Sequence, residues 1–170
     1  MPATSTERRL PQAGAGPVAV PGRRRGLVLA LALAPLTPLH AAPGRTPVEI
    51  WKSPDCGCCK DWMVHMEDRG FSFRVHDTGN TGARTRLGLP KAFGSCHTAL
   101  VDGYVLEGHV PARDVLRLLR ERPAALGLAV PGMPVGSPGM DGPAYQGRRD
   151  PYDVLLVRRD GSSAVYQSYR

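Results

Sequence analysis

The chain has no apolar run long enough to cross a bilayer. Leu27 to Ala34 is the one unbroken apolar segment of its kind, and a spanning helix needs about 20 such residues. There is no internal repeat at a solenoid period, which excludes stacked-repeat architectures. Acidic residues are nearly missing from the first 42 positions, where Glu7 stands against Arg8, Arg9, Arg23, Arg24 and Arg25. The formal charge of +7 therefore misleads: beyond residue 42 the chain has 17 basic and 14 acidic residues and no basic run. That balance gives no reason to expect a nucleic-acid partner. Cysteine is scarce, with four in 170 residues, yet three of the four fall within four positions.

The composition is that of a folded domain, 42% hydrophobic and 22% charged. The length suits one ordinary domain. Gly 20 and Pro 17 are high and predict long irregular loops. Residues 1–42 read as a signal peptide: Arg23-Arg24-Arg25 is the basic region, Leu27–Ala34 the apolar region, and Ala41-Ala42 a place for cleavage. Arg24-Arg25-Gly26-Leu27-Val28 also fits a twin-arginine signal, the route for already folded proteins. Either route predicts a periplasmic protein with no stable membrane anchor after cleavage.

Residues 47–170 read as one domain. Val48-Glu49-Ile50-Trp51 alternates as a strand. Ser53-Pro54-Asp55 is a turn, and a helix opens at Cys58 or Cys59 and runs to about Asp68. Its buried positions are expected at Trp62, Met63, Val64 and Met66, with Gly70 ending it. Phe71–His76 alternates again. A short helix is expected around Ala83–Leu87. Thr98–Val101 and Tyr104–Glu107 flank Asp102-Gly103, a two-residue hairpin turn. Pro111 starts a helix with Asp114 in its first turn, Val115, Leu118 and Leu119 as its apolar stripe and Pro123 beyond its end. Leu128–Tyr145 is a Gly/Pro/Met loop. Tyr152–Val157 and Ala164–Tyr169 form a second hairpin around Asp160-Gly161. The order is α/β: a thioredoxin-like mixed sheet flanked by helices, with the loop and an appended C-terminal β-hairpin.

Cys56-Gly57-Cys58-Cys59 lies where the first strand meets the first helix. Cys56 and Cys59 form a C-x-x-C at a helix N-terminus, where free N–H groups and the helix dipole favour thiolate. A thiolate is both a nucleophile and a soft-metal ligand, so spacing alone leaves metal binding, redox exchange and a structural disulfide open. Adjacent cysteines rarely bridge, and the direction of Cys58 cannot be assigned. Ser95-Cys96-His97-Thr98 occupies the place of the thioredoxin cis-proline loop, so Cys96 and His97 are expected to face Cys56 and Cys59. Thiolates with an imidazole suit Cu(I) or Zn(II). Cys96 as a small buried hydrophobe and His97 as a core histidine are the bland alternatives. His109 ends the hairpin's second strand, near the same place or on the surface. Met133 and Met140 stand in a flexible loop, either packed down or offering thioethers, which bind Cu(I) and hardly Zn(II).

Together these segments resemble a bacterial family of exported thioredoxin-like proteins described as metal-binding and copper-associated. The marks are Cys56-Gly57-Cys58-Cys59 with Trp62, Ser95-Cys96-His97-Thr98-Ala99, Gly103-Tyr104, Glu107-Gly108-His109-Val110-Pro111, Pro131-Gly132-Met133-Pro134 through Gly136-Ser137-Pro138-Gly139-Met140, and Tyr152-Asp153-Val154. The resemblance covers about residues 47–169. It implies a periplasmic copper-handling role with Cys56, Cys58, Cys59, Cys96, His97, His109, Met133 and Met140 as metal residues. Copper as Cu(I) is the expected metal, with zinc possible. The expected function is a chaperone or buffer that hands the ion to a periplasmic or membrane protein. The alternative is a thiol-disulfide oxidoreductase using Cys56 as nucleophile and Cys59 as resolving thiol.

Overall fold

A computed structural model of the chain describes residues 44–170. The expected signal peptide lies outside the described residues. The elements run β1 (Thr46–Lys52), α1 (Gly57–Glu67), β2 (Phe71–His76), α2 (Thr81–Arg86), β3 (His97–Val101), β4 (Tyr104–Glu107), α3 (Ala112–Glu121), β5 (Gly127–Ala129), β6 (Tyr152–Val157) and β7 (Ser163–Tyr169). All seven strands join one sheet in the order β2-β1-β3-β4-β5-β6-β7. β1 is parallel to β2 and β4 to β5; the other neighbours are antiparallel. This mixed sheet with helices fits the thioredoxin-like α/β arrangement expected from the sequence.

Local chemistry explains the joints. Asp102 and Gly103 both hold positive φ, 45° and 83°, as a tight turn between twisted strands requires. α3 ends where Arg122 turns left-handed and donates its N–H to the Leu118 carbonyl at 2.8 Å; Pro123 follows and cannot continue the helix. The alternating strand residues divide between two faces. Val48, Ile50, Ala99, Leu106, Leu128 and Val154 pack against Trp62 and Met66 of α1 and Val115 and Leu118 of α3. The opposite face carries Val105, Ala129 and Val157, covered by Leu87, Leu89 and Phe93 from the segment after α2.

Two expectations change. Val64 is 55% exposed, not buried: α1 needs only the stripe through Cys59, Trp62 and Met66 to meet the sheet. The expected loop from Leu128 overlaps β5, a three-residue strand that Gly127 conceals. A Cβ at Gly127 would overlap the Val105 backbone, so the residue that reads as a breaker is what lets β5 lie beside β4. The appended C-terminal hairpin extends the sheet: β6 pairs with β5 and buries Val154 and Val157 in the two core clusters. No helix among the described residues is long and apolar enough to cross a membrane.

Candidate metal and thiol site

The site forms where the C-terminal end of β1 turns into α1 and meets the loop entering β3. The Cys56 N–H donates to the Ser53 carbonyl at 3.2 Å, which tightens the turn and leaves Cys56 as the N-cap of α1. Cys56 and Cys59 are joined in a disulfide, with Cα atoms 5.3 Å apart, within the ordinary span for such a bridge. This leaves Cys58 and Cys96 as the free thiols. The Cys58 sulfur, whose direction the sequence leaves open, lies 3.6 Å from Cys56 Sγ and 4.0 Å from Cys96 Sγ. Cys59 is fully buried, its sulfur 3.8 Å from the Cys96 carbonyl oxygen.

Cys96 is the hub. Its sulfur is 3.0 Å from His109 Nε2 and 3.4 Å from His97 Nδ1. Two donor sets result: Cys56, Cys58, Cys59 and Cys96, and Cys96, His97 and His109, with the ligand atoms of each set within 4.8 Å of one another. The structure thus gathers six of the eight expected residues. Met133 is on the surrounding loop and 52% exposed. Met140 lies on the same loop, its sulfur accepting from the Tyr145 hydroxyl at 3.2 Å.

The two histidines are oriented differently. His109 Nδ1 lies 2.7 Å from the Pro138 carbonyl oxygen. A carbonyl can only accept, so Nδ1 carries the proton and Nε2 turns its lone pair toward Cys96. A hydrogen bond that fixes the tautomer in this way is the usual outer support of a ligating histidine. His97 is completely buried, wedged 4.3 Å from the Trp62 ring and 5.3 Å from the His109 ring. Its Nε2 has no hydrogen-bond partner, which costs free energy unless the atom is used.

Burial dominates the electrostatics. It pushes the Cys96 thiol up to about 12, with the neighbouring Cys58 adding to the rise. Burial also lowers His97 far below the usual imidazole range, helped by His109, and lowers His109. In the metal-free protein Cys96 is therefore a thiol beside two neutral imidazoles, and its S–H can donate to His109 Nε2. A metal binding here displaces that proton. Lys52 stands opposite His97 in the β1–β3 register. It is 2% exposed and pairs with Asp77 at 2.5 Å, and its charge also disfavours protonation of His97.

The Cys96 loop is held from below by a group whose role the sequence did not disclose. The fully buried Glu107 carboxylate accepts from Arg84 Nε and Nη2 at 2.9 and 2.6 Å, from the Ser95 N–H at 2.7 Å and from the Thr98 hydroxyl at 2.6 Å. Arg84 and Asn80 both also donate to the Ser95 carbonyl, at 2.7 and 3.0 Å. Burial raises the Glu107 carboxyl and the Arg84 and Thr98 hydrogen bonds oppose it. The available clue was a charge at the end of Tyr104-Val105-Leu106, which reads as a wholly buried strand. From above, the Ser137–Gly139 segment closes on α1. A Cβ on Gly139 would lie 2.5 Å from the Cys58 carbonyl and 2.8 Å from the Trp62 nitrogen, and its φ of +83° suits glycine.

The donors fit a soft or borderline ion. One set is sulfur alone and the other sulfur with imidazole, the chemistry of copper(I) and zinc rather than of magnesium or calcium. Once the Cys96 proton is lost, the sulfur, the His109 Nε2 lone pair and the His97 Nδ1 that faces the same sulfur are positions a metal could satisfy.

Fold and site together define an α/β protein with a buried thiol and imidazole centre. Two solved structures match the chain. One, named copper resistance protein CopG form 2, is 43% identical, with a TM-score of 0.68, and the match covers 74% of this chain and 99% of that one. The other, copper resistance protein CopG form 1, is 45% identical, with a TM-score of 0.67, covering 74% and 98%. The family described as "Protein of unknown function, DUF411" matches residues 93–140. No curated protein matches. The chain belongs to the same family as the CopG structures.

Proposed function

We propose that the chain is a periplasmic copper-binding protein that carries or buffers Cu(I) and passes it to a periplasmic or membrane partner. The observation that carries this reading is the placement of Cys96, which belongs both to a four-sulfur set and to a Cys-His-His set. Soft thiolates favour copper(I), and the neutral imidazoles favour copper or zinc. The two relatives named as copper resistance proteins support copper as the cargo. Met133 and Met140 offer thioethers on the loop above the site, suited to covering the ion or handing it on.

The Cys56–Cys59 disulfide adds a redox condition. With it in place two of the four sulfurs are occupied, and reduction supplies two further thiolates. The periplasm is kept oxidising by dedicated enzymes. Loading before export through the twin-arginine route, or a dedicated reductant, would keep the full set available.

The test is copper analysis of protein purified without oxygen after copper exposure, beside Cys56→Ser and Cys96→Ser. The reading expects both variants to hold less copper. Unchanged stoichiometry in both would sink it.

One observation favours a second reading. The disulfide sits at the N-terminus of α1 with the Cys58 sulfur 3.6 Å away, as in a thiol-disulfide oxidoreductase. Turnover in an insulin-reduction assay that depends on Cys56 would favour that reading. A purely structural zinc site predicts loss of fold on chelation with no preference for copper.

A further inference from the structure

A cleft of about 210 Å³ opens beside the thiol site, on the other side of the 136–138 loop. Its walls come from five places: His65 and Arg69 around the end of α1, Arg113 in the first turn of α3, the 136–138 loop, Arg149 and Tyr152 leading into β6, and Tyr169 at the end of β7. No carboxylate lines it. Three guanidiniums lining one cavity favour a negatively charged occupant.

Their present partners leave them available. Arg69 and Arg149 make no ion pair and no side-chain hydrogen bond among the described residues. Arg113 gives its Nε to the Tyr169 hydroxyl at 2.7 Å and lies over that ring at 4.6 Å, so its two terminal nitrogens remain to donate. The Ala112 N–H donates to His65 Nε2 at 3.1 Å, which puts the proton of neutral His65 on Nδ1 as a further donor. Tyr152 and Tyr169 stack at 4.6 Å and make a flat wall. Three acids stand nearby: Asp114 accepts from the Tyr169 hydroxyl at 2.5 Å, Asp141 from the Gly139 N–H at 3.1 Å, and Asp68 bears on His65 from the end of α1. A Cβ on Gly136 would meet Arg149 Cγ at 2.9 Å, so the base of that side chain is packed against the loop.

We infer that this cleft binds a small oxyanion, a phosphate or a carboxylate-bearing molecule, held by Arg69, Arg113 and Arg149. Guanidiniums match such groups with paired, charge-assisted hydrogen bonds. The cleft also bears on the thiol site, because Pro138 is part of its wall and the Pro138 carbonyl fixes His109.

The test is calorimetric titration of the metal-free full chain at low salt, with inorganic phosphate in one arm and citrate in the other. Saturable one-site binding of either anion is expected, and the arm that binds identifies the chemistry. Arg69→Gln and Arg149→Gln should each weaken it about tenfold, whereas Arg74→Gln, a charge-matched change outside the cleft, should leave it unaltered. Neither guanidinium has a protein acceptor here, so both variants should fold, and circular dichroism checks this. No saturable binding of either anion, or equal affinity in all three variants, would overturn the assignment. The titration uses no copper, so its outcome is independent of the copper reading.

Discussion

Glu107 shows how much one buried side chain can set. Its carboxylate joins α2, through Arg84, to the backbone at Ser95 and the hydroxyl of Thr98, and Cys96 stands between these last two residues. Exchanging Glu107 for Gln leaves the Arg84 charge, itself 13% exposed, without its counter-ion. Breaking a buried pair in this way costs about 3 kcal/mol. Urea denaturation should show a loss of that order, and Cys96 should react faster with a thiol reagent as its loop loosens. His65 supplies a pH prediction at the same scale. Burial is the main cause that lowers it below 6.5, so the unfolded chain takes up the proton first as pH falls. Its contribution to stability is complete above about pH 6.5 and declines below that value. The metal-free protein should therefore unfold at lower urea at about pH 5.5 than at about pH 7.5. The drop should be smaller in His65→Gln; an equal drop would show that His65 takes no part.

The elements explain what the sequence disclosed and what it withheld. Amphipathic and alternating segments were legible because a single local pattern determines them. Phe71–His76 and the Asp102-Gly103 hairpin have the expected form, and α1 and α3 start and stop within a residue or two of their signals. The facing of Cys56-Gly57-Cys58-Cys59 and Ser95-Cys96-His97 was legible too, from the order of strands. The direction of Cys58 was not, because it depends on which neighbour Cys59 bonds. β5 was hidden because its first residue is a glycine whose value lies in closeness to Val105, a contact invisible in local sequence. Gly139 makes the same point in the loop, where a side chain would meet the first turn of α1. Gly139→Ala should cost about 2 kcal/mol from the left-handed backbone and the steric overlap together. Thermal unfolding checks the loss. Copper affinity should fall as well, since the same segment carries the Pro138 carbonyl that orients His109.

On the scale of the whole molecule, pairing in the sheet makes the C-terminal hairpin indispensable. β6 covers β5, and Val154 and Val157 enter the core on both faces. Ending the chain after Asp150 would leave a three-residue strand as an edge and remove these side chains, and so short a strand has little stability alone. Such a truncation should lose its cooperative unfolding transition; an unchanged transition would show that β6 and β7 add nothing to the core. The assembled molecule thus places one thiol, Cys96, between an α1 sulfur cluster and two imidazoles held by separate supports. Under the proposed function, copper binds there through sulfur. X-ray absorption at the copper edge, on protein loaded with Cu(I) after reduction of Cys56–Cys59, tests this most directly. Sulfur neighbours should dominate around the copper, with their contribution reduced in Cys96→Ser. A shell of only nitrogen and oxygen, or an identical spectrum in the variant, would contradict it.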